Sequence, residues 1–120
     1  MNLKIMTYKG GCHCGAVQYE AQTNLERVIE CNCSHCFKKG LILTFIPAEQ
    51  FTLISGEDNL TDYQFNKKII HHLFCKTCGV QSFGRGTNKE GKPTVSLNVR
   101  CLDKVEMQEI TITPFNGKDW

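Results

Sequence analysis

No apolar run in this chain approaches the ~20 residues that a membrane-spanning helix requires, which sets such helices aside. The opening stretch, MNLKIMTYKGG, has neither a long apolar segment nor a small-residue cleavage pattern, so no secretory leader is expected there. Internal repeats, low-complexity tracts and linkers are missing, and one domain over residues 1–120 is the expectation. Apolar residues at helical spacing are scarce, which argues against a helical bundle. Blocks of lysine and arginine are absent, as is the aromatic-and-basic interleaving used by single-strand binders, and this argues against a nucleic-acid surface. A hydrophobic content of 41% with 22% charged residues is that of a soluble globular chain rather than a disordered tail.

Against these absences stand eight cysteines. Without an export signal, thiols are kept reduced, so metal ligation in the cytoplasm is the first reading and an exported disulfide scaffold the alternative. Cys12 and Cys14 are too near in sequence to bridge each other within disulfide geometry, so disulfides would require both to pair elsewhere.

Short alternating segments predominate. Residues 16–21 (AVQYEA), 41–46 (LILTFI), 60–65 (LTDYQF), 68–74 (KIIHHLF), 94–99 (TVSLNV) and 109–113 (EITIT) read as strands. In TVSLNV the apolar Val95, Leu97 and Val99 alternate with polar neighbours, the pattern of a half-buried strand. Gly10-Gly11, residues 55–59 and residues 88–93 mark turns, the last a hairpin loop. Residues 34–39 and 100–107 are candidates for short helical turns. The fold class expected is mainly β, built of antiparallel strands.

The cysteines sort into two sets. Cys12-His13-Cys14 precedes the first expected strand, and Cys75-Lys76-Thr77-Cys78-Gly79 follows the KIIHHLF segment. A C-x-x-C turn followed by glycine brings both sulfurs to one ion and aims backbone N–H groups at the thiolates. C-x-C works in extended chain, where residues two apart face the same side. Cys12, Cys14, Cys75 and Cys78 together make a closed four-thiolate structural zinc site tying distant segments. Cys31, Cys33 and Cys36 form the second set, with three ligands from one loop and an open fourth position, the arrangement that zinc chemistry needs. His35, His13, His71, His72 or Cys101 could close it instead. His35 lies between two ligands and is expected to point away, adjacent His71 and His72 face opposite sides of a strand, and Cys101 is the foremost candidate. Cys101 otherwise reads as a small buried hydrophobe, with a redox role as the less favoured alternative.

The order of motifs, GCHCGAVQYEA at 11–21, CNCSHCFKKG at 31–40 and FCKTCGVQSFGRG at 74–86, is similar to the glutathione-dependent formaldehyde-activating enzyme family, which also contains centromere protein V. The resemblance runs from the first cysteine to about NVRCLD at 98–103. It implies a β-tent zinc fold of short antiparallel strands, a structural zinc on Cys12, Cys14, Cys75 and Cys78, and a second, catalytic zinc on Cys31, Cys33 and Cys36, which three protein thiolates rather than four would leave the more labile. The implied activity is that of a carbon–sulfur lyase, condensing formaldehyde or a related aldehyde with glutathione or another small thiol, or the reverse. It names no glutathione-contact residue; Lys38, Lys39 and Arg85 flank the motifs and could meet carboxylates, or form a solvated face that offsets the thiolates.

A reading from another class is a non-catalytic zinc-binding module or thiol carrier for a protein or nucleic-acid partner, as centromere protein V suggests. The formal charge of +2 counts every cysteine as neutral. Seven thiolates remove seven charges and two zinc ions return four, which takes the total to −1 and weakens the nucleic-acid version. The fourth position of the Cys31 site discriminates: exchangeable, it favours an enzyme or thiol carrier; filled by protein, a scaffold.

Overall fold

The computed structural model describes residues 4–65 and 70–117, and within them the chain is mainly β. In chain order the elements are β1 (Met6–Gly11), β2 (Gln18–Thr23), β3 (Val28–Cys31), α1 (Ser34–Lys39), β4 (Ile42–Pro47), β5 (Phe51–Ser55), β6 (Leu60–Tyr63), β7 (His71–Cys75), β8 (Phe83–Thr87), β9 (Pro93–Asn98) and β10 (Ile112–Phe115). A smaller sheet runs β1-β2-β5 and a seven-stranded sheet runs β10-β3-β4-β9-β8-β7-β6. All pairings are antiparallel except β10 with β3, which is parallel. Among the described residues no helix is long and apolar enough to cross a membrane.

The alternation in residues 94–99 has the predicted consequence: Val95 and Leu97 are buried on β9, and Val99 is buried in the turn that follows. They join Val17, Tyr19, Val28 and Phe83 in one core. The rings of Tyr19, Phe51 and Phe83 pack at centroid separations of 4.8–5.7 Å, and the Tyr19 hydroxyl donates to the Ser82 carbonyl at 2.9 Å. Both sheets contribute to that cluster, since Tyr19 and Phe51 lie on β2 and β5 and Phe83 lies on β8.

Four strands escape the period-two pattern. β1 is largely exposed and ends in Gly10-Gly11, which pair with Tyr19 and Gln18 rather than making a turn. A Cβ on Gly10 would come within 2.8 Å of the Tyr19 ring, so the absence of a side chain lets that ring lie across the strand. β3 has only four residues, and β5 is a partly exposed edge strand. β8, FGRGT, carries no period-two apolar alternation, and a Cβ at Gly84 would lie 2.7 Å from Ser96 Oγ and 2.9 Å from the His71 carbonyl oxygen. Glycine there marks a close approach of neighbouring strands.

The helical turn expected over 34–39 forms with those bounds. Cys33 caps it, accepting from the Cys36 N–H, and Gly40 ends it in the left-handed region with φ of 68°, its N–H donating to the Cys36 and Phe37 carbonyls. Residues 88–92 form the expected loop between β8 and β9, closed by Asn88 N–H to the Lys92 carbonyl at 2.9 Å. Residues 100–107 do not form one helical turn: separate 3-10 turns occupy Val99–Cys101 and Met107–Glu109, and Lys104 between them has φ of 62°, which no right-handed helix tolerates. Of the strand expected over 68–74, residues 68 and 69 lie outside the described residues, and β7 starts at His71.

Candidate metal centres

All eight cysteines are free thiols. The sulfurs of Cys12, Cys14, Cys75 and Cys78 lie within 4.8 Å of one another, and so do those of Cys31, Cys33 and Cys36. The two groups are those separated by spacing in the sequence.

The four-sulfur group joins the sheets. Cys12 follows β1 of the smaller sheet, and Cys75 ends β7 of the larger one. Cys12 Sγ and Cys14 Sγ are 3.6 Å apart and Cys14 Sγ and Cys75 Sγ 3.7 Å. A tetrahedron with metal–sulfur bonds of about 2.3 Å has edges of about 3.8 Å, whereas a disulfide needs about 2.05 Å, so the sulfurs are spaced for a shared ion. The backbone turns toward them. Val17 N–H donates to Cys12 Sγ at 3.3 Å, and the N–H groups of Thr77 and Cys78 donate to Cys75 Sγ at 3.4 and 3.5 Å. Gly79, with φ of 81°, gives its N–H to the Cys75 carbonyl and so closes the turn.

These donors distribute charge unevenly. The N–H groups of Val80 and Cys14 hold the Cys78 thiol down to about 6 against burial, and the Cys78 N–H leads the lowering of Cys75. Cys14 is drawn down by the Ala16 N–H, yet burial and the thiols of Cys12, Cys75 and Cys78 outweigh it and push the group up to about 11. Without a cation the group cannot carry four thiolates, so an arriving metal displaces protons.

Three sulfurs converge at the other group from one short segment. Cys31 ends β3, Cys33 caps α1 and Cys36 lies in its buried face. Cys33 N–H donates to Cys31 Sγ at 3.4 Å and Cys36 N–H to Cys33 Sγ at 3.3 Å. Burial raises Cys31 and pushes Cys36 far above the ordinary thiol range. Burial also raises Cys33, but the Cys36 N–H, the neighbouring thiols and the His35 N–H overcome it and leave that group lowered.

Among the described residues no fourth histidine, cysteine, aspartate or glutamate joins the Cys31 group. Cys101, the foremost candidate, lies instead beside the Gln81 carbonyl, its sulfur 3.9 Å away. Burial, then the charges of Cys12 and Cys78, push its thiol up to about 11, which fits the inert buried reading. His13 is exposed between Cys12 and Cys14. His71 and His72 do face opposite ways: His71 Nδ1 meets Asp62 Oδ2 at 2.6 Å, while His72 is buried against His35. His35 sits among Tyr63, Phe65 and His72, and both its ring nitrogens are buried without a partner.

Of the flanking cations, Lys39 Nζ donates to Gln81 Oε1 at 2.8 Å and lies over the Phe74 ring, and Arg85 pairs with Glu57 at 3.5 Å. Two contributors went unseen in the sequence. Asn59 Nδ2 donates to Cys75 Sγ at 3.3 Å, and no motif marks that asparagine. Past β10 the chain lies against the Cys31 loop: Asn32 N–H donates to the Phe115 carbonyl, and Asn32 Nδ2 to Asn116 Oδ1, both at 3.0 Å.

The family model described as glutathione-dependent formaldehyde-activating enzyme matches residues 7–116. A crystal structure of a Rhodobacter sphaeroides protein superposes with a TM-score of 0.78, at 29% sequence identity, over 89% of this chain and 99% of that one.

Proposed function

The chain belongs to the glutathione-dependent formaldehyde-activating enzyme family, and on that premise we propose that it is a zinc-dependent carbon–sulfur lyase joining formaldehyde, or a related aldehyde, to glutathione or another small thiol. The observation that carries this reading is the convergence of three sulfurs from one loop with no fourth such ligand among the described residues. Cys31, Cys33 and Cys36 hold the catalytic zinc. Cys12, Cys14, Cys75 and Cys78 hold a structural zinc between the two sheets. Residues 1–120 form one domain of β-tent type that works in the cytoplasm.

Zinc at the three-sulfur site would supply a coordination position where an incoming thiol loses its proton more readily and its sulfur is held. With three thiolates already donating, the electrophilic pull there is small, so the site suits holding a nucleophile better than polarising a carbonyl. The condensation makes one sulfur–carbon bond, and the proton that leaves the thiol ends on the former aldehyde oxygen. The chain contributes order: the Cys33 N–H orients Cys31 Sγ and the Cys36 N–H, at the cap of α1, orients Cys33 Sγ, so two of the three sulfurs that would hold the ion are aimed by backbone donors.

Cobalt substitution tests the reading. Glutathione added to the cobalt form should strengthen the sulfur-to-metal charge-transfer band by about one thiolate, and the zinc form should exchange free and thiol-bound formaldehyde faster than the spontaneous reaction, followed by NMR. An unchanged spectrum at saturating thiol would favour a closed scaffold. Thiol binding without turnover would favour a thiol carrier.

A further inference from the structure

We propose that Gly117 is a positioning residue of the three-sulfur site, required because only a residue without a side chain leaves Cys31 Sγ in its metal-holding position. The proposal rests on the reading of Cys31, Cys33 and Cys36 as a metal site. β10 runs parallel to β3 with Phe115 in register with Cys31, and the two hydrogen bonds from Asn32 hold residues 115 and 116 against the loop. The next residue therefore arrives at the sulfurs. A Cβ built on Gly117 would overlap Cys31 Sγ and would lie 3.5 Å from Cys33 Cβ and 3.6 Å from Phe115 Cδ1. Gly117 is not one of the glycines with positive φ, so the backbone itself does not demand glycine there. The sulfur does.

The overlap has a consequence that ordinary packing would not have. A free cysteine side chain turns about one bond between three staggered wells, so in protein lacking the ion Cys31 Sγ can swing away from an added methyl by giving up only its 3.4 Å contact with the Cys33 N–H. A sulfur converging with Cys33 and Cys36 on one ion has no such freedom. Gly117→Ala should therefore weaken metal binding while leaving the fold of the protein without that ion almost unchanged. Perturbing groups that orient metal ligands commonly costs about 10–100-fold in affinity, and that is the size expected here.

The test is zinc competition against a chromophoric chelator on full-length wild type, Gly117→Ala and Cys36→Ser, with thermal unfolding of each after mild chelation has removed the labile ion. The expected result is one zinc lost altogether in Cys36→Ser, one zinc bound about 10–100-fold more weakly in Gly117→Ala, and an unfolding midpoint of chelated Gly117→Ala equal to that of chelated wild type. Full zinc retention by Cys36→Ser would sink the reading of the site itself. Loss of an ion in Cys36→Ser with wild-type affinity in Gly117→Ala would leave the site standing and overturn the role of Gly117. A Gly117→Ala protein that is destabilised or unfolded equally with and without the labile ion would also overturn it, since the glycine would then be a packing residue.

Discussion

The imidazoles of His72 and His35 pack against each other at 4.0 Å between centroids, tilted by 42°, with the Phe65 ring stacked on His72 at 5.1 Å. His72 is only 7% exposed. Burial first, then the neighbouring His35, Lys39 and His71, hold its pKa down to about 4, with Asp62 opposing them.

Acid sensitivity follows from that depression. The folded protein binds the His72 proton less well than the unfolded chain, whose histidine titrates near 6.5, so this contribution is complete above that value and is lost as pH falls toward 4. His72→Phe keeps a flat ring in the stack and removes the titration. Between pH 7.5 and 5, wild type should lose about 1–2 kcal/mol more stability than His72→Phe, read from urea midpoints. Equal losses would place the sensitivity elsewhere.

Lability should separate the two sites. On the proposed reading four sulfurs from two sheets would enclose one ion and three from one loop would hold the other, so graded chelation of the purified protein should release about one equivalent of zinc per chain before the second. Simultaneous release at a single chelator concentration would count against two unlike sites.

Mutation should separate them structurally. Cys78→Ser breaks the link between the segment after β1 and the end of β7, and in a small domain the free energy of metal binding is largely that of folding. Insoluble or unfolded protein is expected. Cys36→Ser damages a local loop; it should stay folded by circular dichroism, keep one zinc and lose formaldehyde–thiol turnover. If it unfolds as readily as Cys78→Ser, the second site is structural.

Tyr19 gives a prediction free of metal. Its hydroxyl is buried and donates to the Ser82 carbonyl, which joins β2 of the smaller sheet to the segment entering β8 of the larger. Tyr19→Phe keeps the ring and removes one of the two donors to that carbonyl, which still accepts from the Asn98 N–H at 3.1 Å, so a cost of about 1 kcal/mol by chemical denaturation is expected, with zinc content unchanged. A drop in zinc content would show that the hydrogen bond also supports the metal centres.

The sequence by itself determined the grouping of the cysteines, the half-buried alternation of β9 and the bounds of α1. Each is a local property: C-x-C and C-x-x-C fix sulfur separations within a few residues, period two assigns faces to one strand, and a helix is stopped by the glycine that follows it. Family membership was legible for the same reason, being carried by motif order. Tertiary structure alone decided the rest. β1, β3, β5 and β8 have weak patterns because pairing partners and close backbone approach, as at Gly84, make them strands. Only the fold decided that Cys101 would rest beside Gln81 instead of closing the Cys31 group. The parallel pairing of β10 with β3 sets Gly117 against Cys31 across 86 positions of sequence, a contact that no spacing rule reaches because it depends on where two strands dock.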